Sequence, residues 1–330
     1  VSQTAPITAG VPTPPVTTAP ARGRRGRPGR TGRAGRAGRA RTPGYVLAPL
    51  ALIAVNAVMF ALFFVWPAAI GLYYSFTSYT GVGPARFVGL DNYTSLFADS
   101  SFYAALTRTL LFTLMVVPAT YVVSLLSAVL LTSEYTRGKT VARVIFFVPW
   151  LISPIVAGVI WRWLFGENFG LVNYLLLQVG LHEVAWQSNG NLSLIIVVIA
   201  STWGSTAFTM LLFIAALKSV PKSYYEAAAL DGAGPWHKFR YITLPGIAPT
   251  SFIVVLLGTI GAMKEYALIQ ALNGGGPGSE NNLIVQYIYR TGFERAQIGY
   301  ASAASFVLLL ILMVIALVQM LVNRRMEANR

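Results

Sequence analysis

Six stretches of this chain stay apolar for longer than a soluble domain tolerates. They lie near residues 45–67, 108–132, 142–164, 192–217, 248–272 and 299–322. A hydrocarbon core is crossed by about 20 helical residues, and each stretch reaches that length. Unpaired backbone groups are too costly in lipid, so a spanning segment is a helix or part of a closed barrel. These stretches are apolar continuously rather than alternately, which is not the barrel pattern. The expected fold is all-α: an integral membrane protein with six transmembrane helices over residues 45–322. Composition agrees, with 55% hydrophobic and only 11% charged residues, against about 25% charged in soluble domains.

Charge sets the expected orientation. Nine of the 25 Lys and Arg residues lie between Arg22 and Arg41, in RGRRGRPGRTGRAGRAGRAR. Together with the Thr- and Pro-rich start, residues 1–44 read as a disordered tail that cannot build a core. The tract is too long and too basic for a signal peptide. Nucleic-acid binding by such a tract is conceivable; the plainer expectation is a cytoplasmic anchor touching anionic lipid, with no nucleic acid involved. Arg137, Lys139 and Arg143 surround the second connection. Lys218, Lys222, Lys238 and Arg240 fill the fourth, and Arg324, Arg325 and Arg330 end the chain. The third connection, 166–190, has neither Lys nor Arg. The positive-inside rule then places both termini, including a short tail at 323–330, in the cytoplasm.

The fourth connection, over 218–247, is unlike its apolar flanks. Pro221 interrupts the preceding helix, and Ser223 with Glu226 reads as a capping box opening a short helix to about Leu230. Gly232 supplies a stop, Pro235 suits the first turn of another helix, and Pro245 marks entry into the fifth span. Tyr224, Ala227, Ala228 and Asp231 share one side of the wheel, where small side chains permit close approach. A capped connector lying among the headgroups would satisfy the same pattern.

The segment EAAALDGAGPWHKFRYITLP resembles the EAA signature of the membrane subunits of binding-protein-dependent ABC importers. Glu226, Ala227, Ala228, Gly232, Ile242, Leu244 and Pro245 match it without departure. FVGLDNYTSLF, RVIFFVPWLISPIVAGVIWRWLF, ALNGGGPGSENNLIVQYIYRTGF and IGYASAASFVLLLIL resemble the sugar-permease branch of that family, the maltose, multiple-sugar and glycerol-phosphate type. The resemblance covers nearly all of Tyr45–Val322 and implies a type I permease fold. It also implies partners: separate ABC ATPase subunits, a second homologous permease, an extracytoplasmic sugar-binding protein and a sugar substrate, all at a bacterial inner membrane. The 218–247 segment would be the coupling element, with Tyr225, Glu226, Ala227, Ala228, Asp231, Gly232, Leu244 and Pro245 meeting the ATPase. Glu226 would pair with a basic residue there, or cap its own helix, or both.

Catalysis finds little to work with. There is no Cys, the two His residues, His182 and His237, are far apart, and no metal site or cofactor is expected. RGKT at 137–140 looks like the tail of a P-loop, but the motif's first glycine would fall on Ser133. An enzyme is therefore not expected. A self-sufficient secondary transporter is the alternative; it would show buried ionisable relays and inverted repeats, which are not evident. For the solute path, Lys264 and Glu265 lie inside the fifth span, where charge is costly. They line the path or sit near the outer interface. Trp150, Trp203, Tyr266, Gln270 and Asn273 offer aromatic faces and hydrogen-bonding groups suited to a sugar, though membrane tryptophans also form interfacial belts.

Overall fold

The computed structural model describes residues 44–133 and 138–328. The expectations for residues 1–43, for Arg137 and for Arg330 lie outside the described residues. By its contacts the chain divides after Ala57. The described part of the first unit is helical, within α1 (Gly44–Phe60). The second unit begins at Val58.

Among the described residues four helices are long and apolar enough to span: Ala51–Ser75, α4 (Ser100–Thr132), α8 (Gly190–Ser219) and α15 (Ile298–Ala328). The first includes a π turn, Ala61–Val65, followed by α2 (Trp66–Ser75), so it runs on past Trp66-Pro67. Pro67 lies just past the π turn and does not end the helix. The last helix also runs past residue 322 to Ala328, where a tail was expected.

The third and fifth expected spans are not single helices. The third is α5 (Lys139–Leu151) and α6 (Pro154–Leu164), bent by 101°. Pro154 opens α6, and the residue before a proline is driven away from helical geometry. The fifth is α12 (Ala248–Met263), set at 67° to the preceding Pro235–Gly246. It ends at Lys264, well short of residue 272. Among the described residues the count is thus four candidate spans, or up to six if each bent pair is one span.

The break after α12 has a local cause. The Glu265 carboxylate accepts from the N–H groups of Tyr266 (3.1 Å) and Leu268 (3.3 Å). That satisfies two donors at the start of a new short helix, α13 (Ala267–Leu272). Shorter helices complete the chain: α3 (Asp91–Ala98), α7 (Leu171–Gln178), α9 (Lys222–Leu230), α10 (Pro235–Lys238), α11 (Leu244–Gly246) and α14 (Ile284–Tyr289). Among the described residues only an isolated bridge, Thr77 to Phe87, has β character.

Three clusters form the core. The first joins α4, α6, α8 and α13 through Phe112, Ala157, Val197 and Ile269. A second holds Leu125, Met210, Phe213 and Ile247 together, and a third holds Phe102, Met263, Tyr287 and Leu308. The two half-helices that follow the breaks, α6 and α13, pack at Gly158. A methyl group there would come within 2.6 Å of the Leu268 carbonyl oxygen and 2.7 Å of Ala271 Cβ. Backbone cannot yield as a flexible side chain can, and overpacking typically costs about 1–3 kcal/mol. Gly158→Ala is expected to lower the melting temperature by several degrees in detergent; an unchanged melt would show that this contact is loose.

Candidate functional site: a docking segment and a central cavity

The connection after α8 is built in layers. Pro221 stands at the N-cap of α9 without a side-chain capping bond. The expected capping box is absent, because the helix starts at Lys222 and Ser223 lies inside its first turn. Glu226 is therefore exposed and caps nothing. The C-terminal stop forms as expected. Gly232 has φ +74°, its N–H reaches the Ala229 carbonyl (3.1 Å), and the Ala233 N–H reaches that of Ala228 (2.9 Å). This pair of bonds is the Schellman arrangement, which favours glycine at the left-handed position.

One face of the segment is fixed to the spans. Tyr225 shares a hydrogen bond with Thr243 across 3.0 Å. Tyr225, Phe239, Ile242 and Leu244 pack against the cluster of Phe213, Val220 and Ile247. A turn below, Gly246 sits so close to Val220 that a methyl group would approach it to 2.8 Å. Ala228 is half-buried, whereas Ala227, Asp231 and Pro245 are exposed.

Elsewhere on the segment, large apolar side chains are open. Leu230 is 91% exposed, Tyr241 70%, Trp236 68% and Tyr224 58%. Trp236 leans on Phe239, and Tyr241 stacks with His237 and has the Arg240 guanidinium over its ring. Sequence reasoning named Tyr225 for this role and passed over Leu230, Trp236 and Tyr241. The available signal was three large apolar residues in a short polar connection, with no span to absorb them.

A cavity of about 310 Å³ lies between α4, α5, α8 and α12. Trp150, stacked on Phe208 at 5.1 Å, forms one wall, and Thr120, Ser201, Ser205 and Thr209 supply hydroxyls. The Ser201 hydroxyl is buried without a hydrogen-bond partner. Glu265 is the single charged residue in the lining.

The expected path residues do not all meet there. Trp150 and Glu265 do. Lys264 is exposed and does not line the cavity. Trp203 packs edge-on against Trp161, in the core cluster, at 5.9 Å. Tyr266 lies against Tyr289 at 5.2 Å. Gln270 accepts from the Gln286 amide (2.9 Å), and Asn273 donates to Ser193 Oγ (2.7 Å) while accepting from the Gly275 N–H (2.9 Å). Asn273 thus ties the glycine-rich loop to the start of α8. In the charge-poor connection, Glu167 accepts from the Ser188 hydroxyl and from the Ser188 and Gln187 N–H groups. The Ser188 contacts hold its carboxyl below the usual range.

Residues 97–328 match the family described as binding-protein-dependent transport system inner membrane component. Curated relatives include the sn-glycerol-3-phosphate transport system permease protein UgpA of Escherichia coli O6:K15:H31 (strain 536 / UPEC). It is 36% identical over 274 residues, 82% of this chain and 92% of the relative. The protein of that name from Yersinia pestis bv. Antiqua (strain Antiqua) is 34% identical, over 84% of this chain and 95% of its own. Among solved structures, a chain of a bacterial alginate ABC transporter in complex with an alginate pentasaccharide-bound periplasmic protein superposes with a TM-score of 0.76. Identity is 24%, covering 86% of this chain and 96% of the other, which supports the fold. With a profile match across most of the spans, relatives above 30% identity and an importer fold, this chain belongs to the inner-membrane permease components of binding-protein-dependent ABC transport systems, and is a transport subunit rather than an enzyme.

Proposed function

We propose that this chain forms half of the translocation path of an ATP-driven importer for a polyhydroxylated solute, a sugar or a related compound. Its partners are two ATPase subunits, a second, homologous permease and an extracytoplasmic binding protein. The observation that carries this reading is the open apolar face of Tyr224, Leu230, Trp236 and Tyr241. It stands on a segment that is locked to the spans through Tyr225, Ile242 and Leu244. Large apolar groups around a fixed short helix suit a protein partner. A push on that face is transmitted to α8 and α12 because Val220 and Ile247 belong to the same packed cluster.

The mechanism follows from that linkage. Closure of the ATPases moves the docking segments, and the spans rock between inward-open and outward-open states around the cavity. The solute leaves the binding protein, passes between the two permeases and enters the cytoplasm. No bond to it is made or broken. Aromatic and hydroxyl groups in the cavity suit a sugar's faces and hydroxyls. The relatives named for sn-glycerol-3-phosphate and the structural neighbour solved with an alginate-bound protein also handle polyhydroxylated compounds. A secondary transporter has no use for an open docking face of this kind.

The test is Gly232→Val. Space is no obstacle, since no atom lies within 4 Å of the added Cβ; the strain is in the backbone, at φ +74°. A β-branched residue in that conformation costs upwards of about 1–2 kcal/mol and shifts α9 against its partner. The variant is expected to insert normally while stimulated ATPase and uptake fall together by at least about fivefold. Normal rates for both would remove the coupling role. Orientation has its own check: a cysteine at Ser188 should react only with reagent outside the cell, and one at Ala328 only from the cytoplasm.

A further inference from the structure

A second recess, of about 360 Å³, opens beside the start of α4, away from the central cavity and the docking segment. Ser100, Ser101, Asn282, Arg290, Thr291 and Arg295 are among its walls. Two guanidinium-bearing residues come to it by an unusual route. Arg290 and Arg295 bracket a π turn, Arg290–Glu294, closed by the Arg295 N–H to the Arg290 carbonyl at 2.9 Å. In a regular α-helix residues five apart project about 140° from one another. The i→i+5 closure turns them towards a common side, and π turns of this kind concentrate at functional sites.

Thr291, between them, is 1% exposed, and its hydroxyl has no hydrogen-bond partner. An unpaired buried hydroxyl is disfavoured, so a ligand oxygen accepting from it would be stabilising. Arg290 gives one N–H to the Gly274 carbonyl, which steadies a group that has five donors. Three acidic residues lie nearby: Asp99, Glu280 and, within the π turn itself, the exposed Glu294. Asp99 accepts from the Ser101 N–H (2.8 Å), the Tyr287 hydroxyl (2.6 Å) and the Tyr300 hydroxyl (3.2 Å). Glu280 lies against Gly190, at the start of α8.

We propose that this recess binds a phosphate-type oxyanion, held by Arg290 and Arg295 and completed by the Thr291 hydroxyl. Arginine pairs match the charge and planar geometry of such groups. The position bears on the source. With 33 residues α4 is about 50 Å long, against a hydrocarbon core of about 30 Å, so its ends reach the headgroup layer or beyond. An anionic lipid headgroup and a soluble phosphate ester share the required chemistry. The site is independent of the coupling reading.

The experiment uses the purified full chain in detergent, titrated with phosphatidylglycerol, with phosphatidylcholine as the neutral control, and separately with inorganic phosphate. Melting temperature and lipid retention in native mass spectrometry are the readouts. A rise in melting temperature with phosphatidylglycerol and not with inorganic phosphate assigns a lipid; the reverse assigns a soluble phosphate. Either supports the site if Arg295→Gln weakens binding by about tenfold. Thr291→Val should also weaken it, yet leave the unliganded melting temperature unchanged or raised, because the methyl replaces an unpaired hydroxyl. No stabilisation by either anion, or equal binding by wild type and both variants, overturns the proposal.

Discussion

A chain carrying Leu230→Asp and Trp236→Ala is expected to insert and fold normally and yet to lose its ATPase partner. Both side chains are exposed, at 91% and 68%, and contribute little to the isolated subunit's core. Substitutions at such positions usually change stability by no more than about 0.5 kcal/mol. Against a partner the balance reverses. Burying a leucine contributes about 1.5–3 kcal/mol, and truncating an anchoring tryptophan at an interface commonly costs 2 kcal/mol or more. The aspartate adds an unpaired charge in what becomes a dry contact. Even without additivity, about 3–4 kcal/mol of weakening is expected, several hundredfold in affinity. Pull-down of the ATPase with the tagged permease should fail, and binding-protein-stimulated ATP hydrolysis should fall to its basal rate. If the double variant holds its ATPase as tightly as wild type, the open face is not the contact, and Glu226 or the stop at Gly232 must carry it instead.

The limits of the sequence reading have physical causes. Long apolar runs reported where helices lie, because lipid imposes a length and an apolar surface on anything that crosses it. They did not report the breaks at Ile152–Ser153 and at Lys264–Tyr266, since two or three residues hardly alter the hydropathy of a 20-residue stretch. The markers were present: Pro154 restricts the residue before it, and Glu265 is a carboxylate with no neighbouring cation in the sequence except Lys264. The helix stop at Gly232 was readable from the short range, because positive φ is a property of a single residue. The capping box failed on a shift of two positions, since the N-cap of α9 is Pro221 rather than Ser223. Tyr225 faces Thr243 because only tertiary packing decides which of two adjacent tyrosines meets the spans. That Trp203 stands edge-on against Trp161 is likewise a matter of tertiary packing, which the local sequence does not encode.

The Glu265 variants test the cavity, and two substitutions separate its two roles. Glu265→Gln retains an oxygen that can accept from the Tyr266 and Leu268 N–H groups, so the start of α13 should survive. It removes the one charge in the lining. Hydrogen bonds to a charged group contribute about 1.5–3 kcal/mol, and neutral ones about 0.5–1.5 kcal/mol. Uptake of a neutral sugar should therefore show a KM raised about fivefold to tenfold, with expression and melting temperature near wild type. The same change should ease passage of a phosphorylated solute, which the carboxylate repels. Glu265→Leu removes the acceptor as well, leaving two N–H groups unpaired beside α13 at about 1–3 kcal/mol each. Both transport and melting temperature should fall. The informative comparison is within the pair. If the glutamine variant transports like wild type while the leucine variant is destabilised, Glu265 serves only to break the span and cap α13. If both lose neutral-sugar uptake, and only leucine loses stability, the carboxylate meets the solute, and the break in the fifth span exists to bring it there.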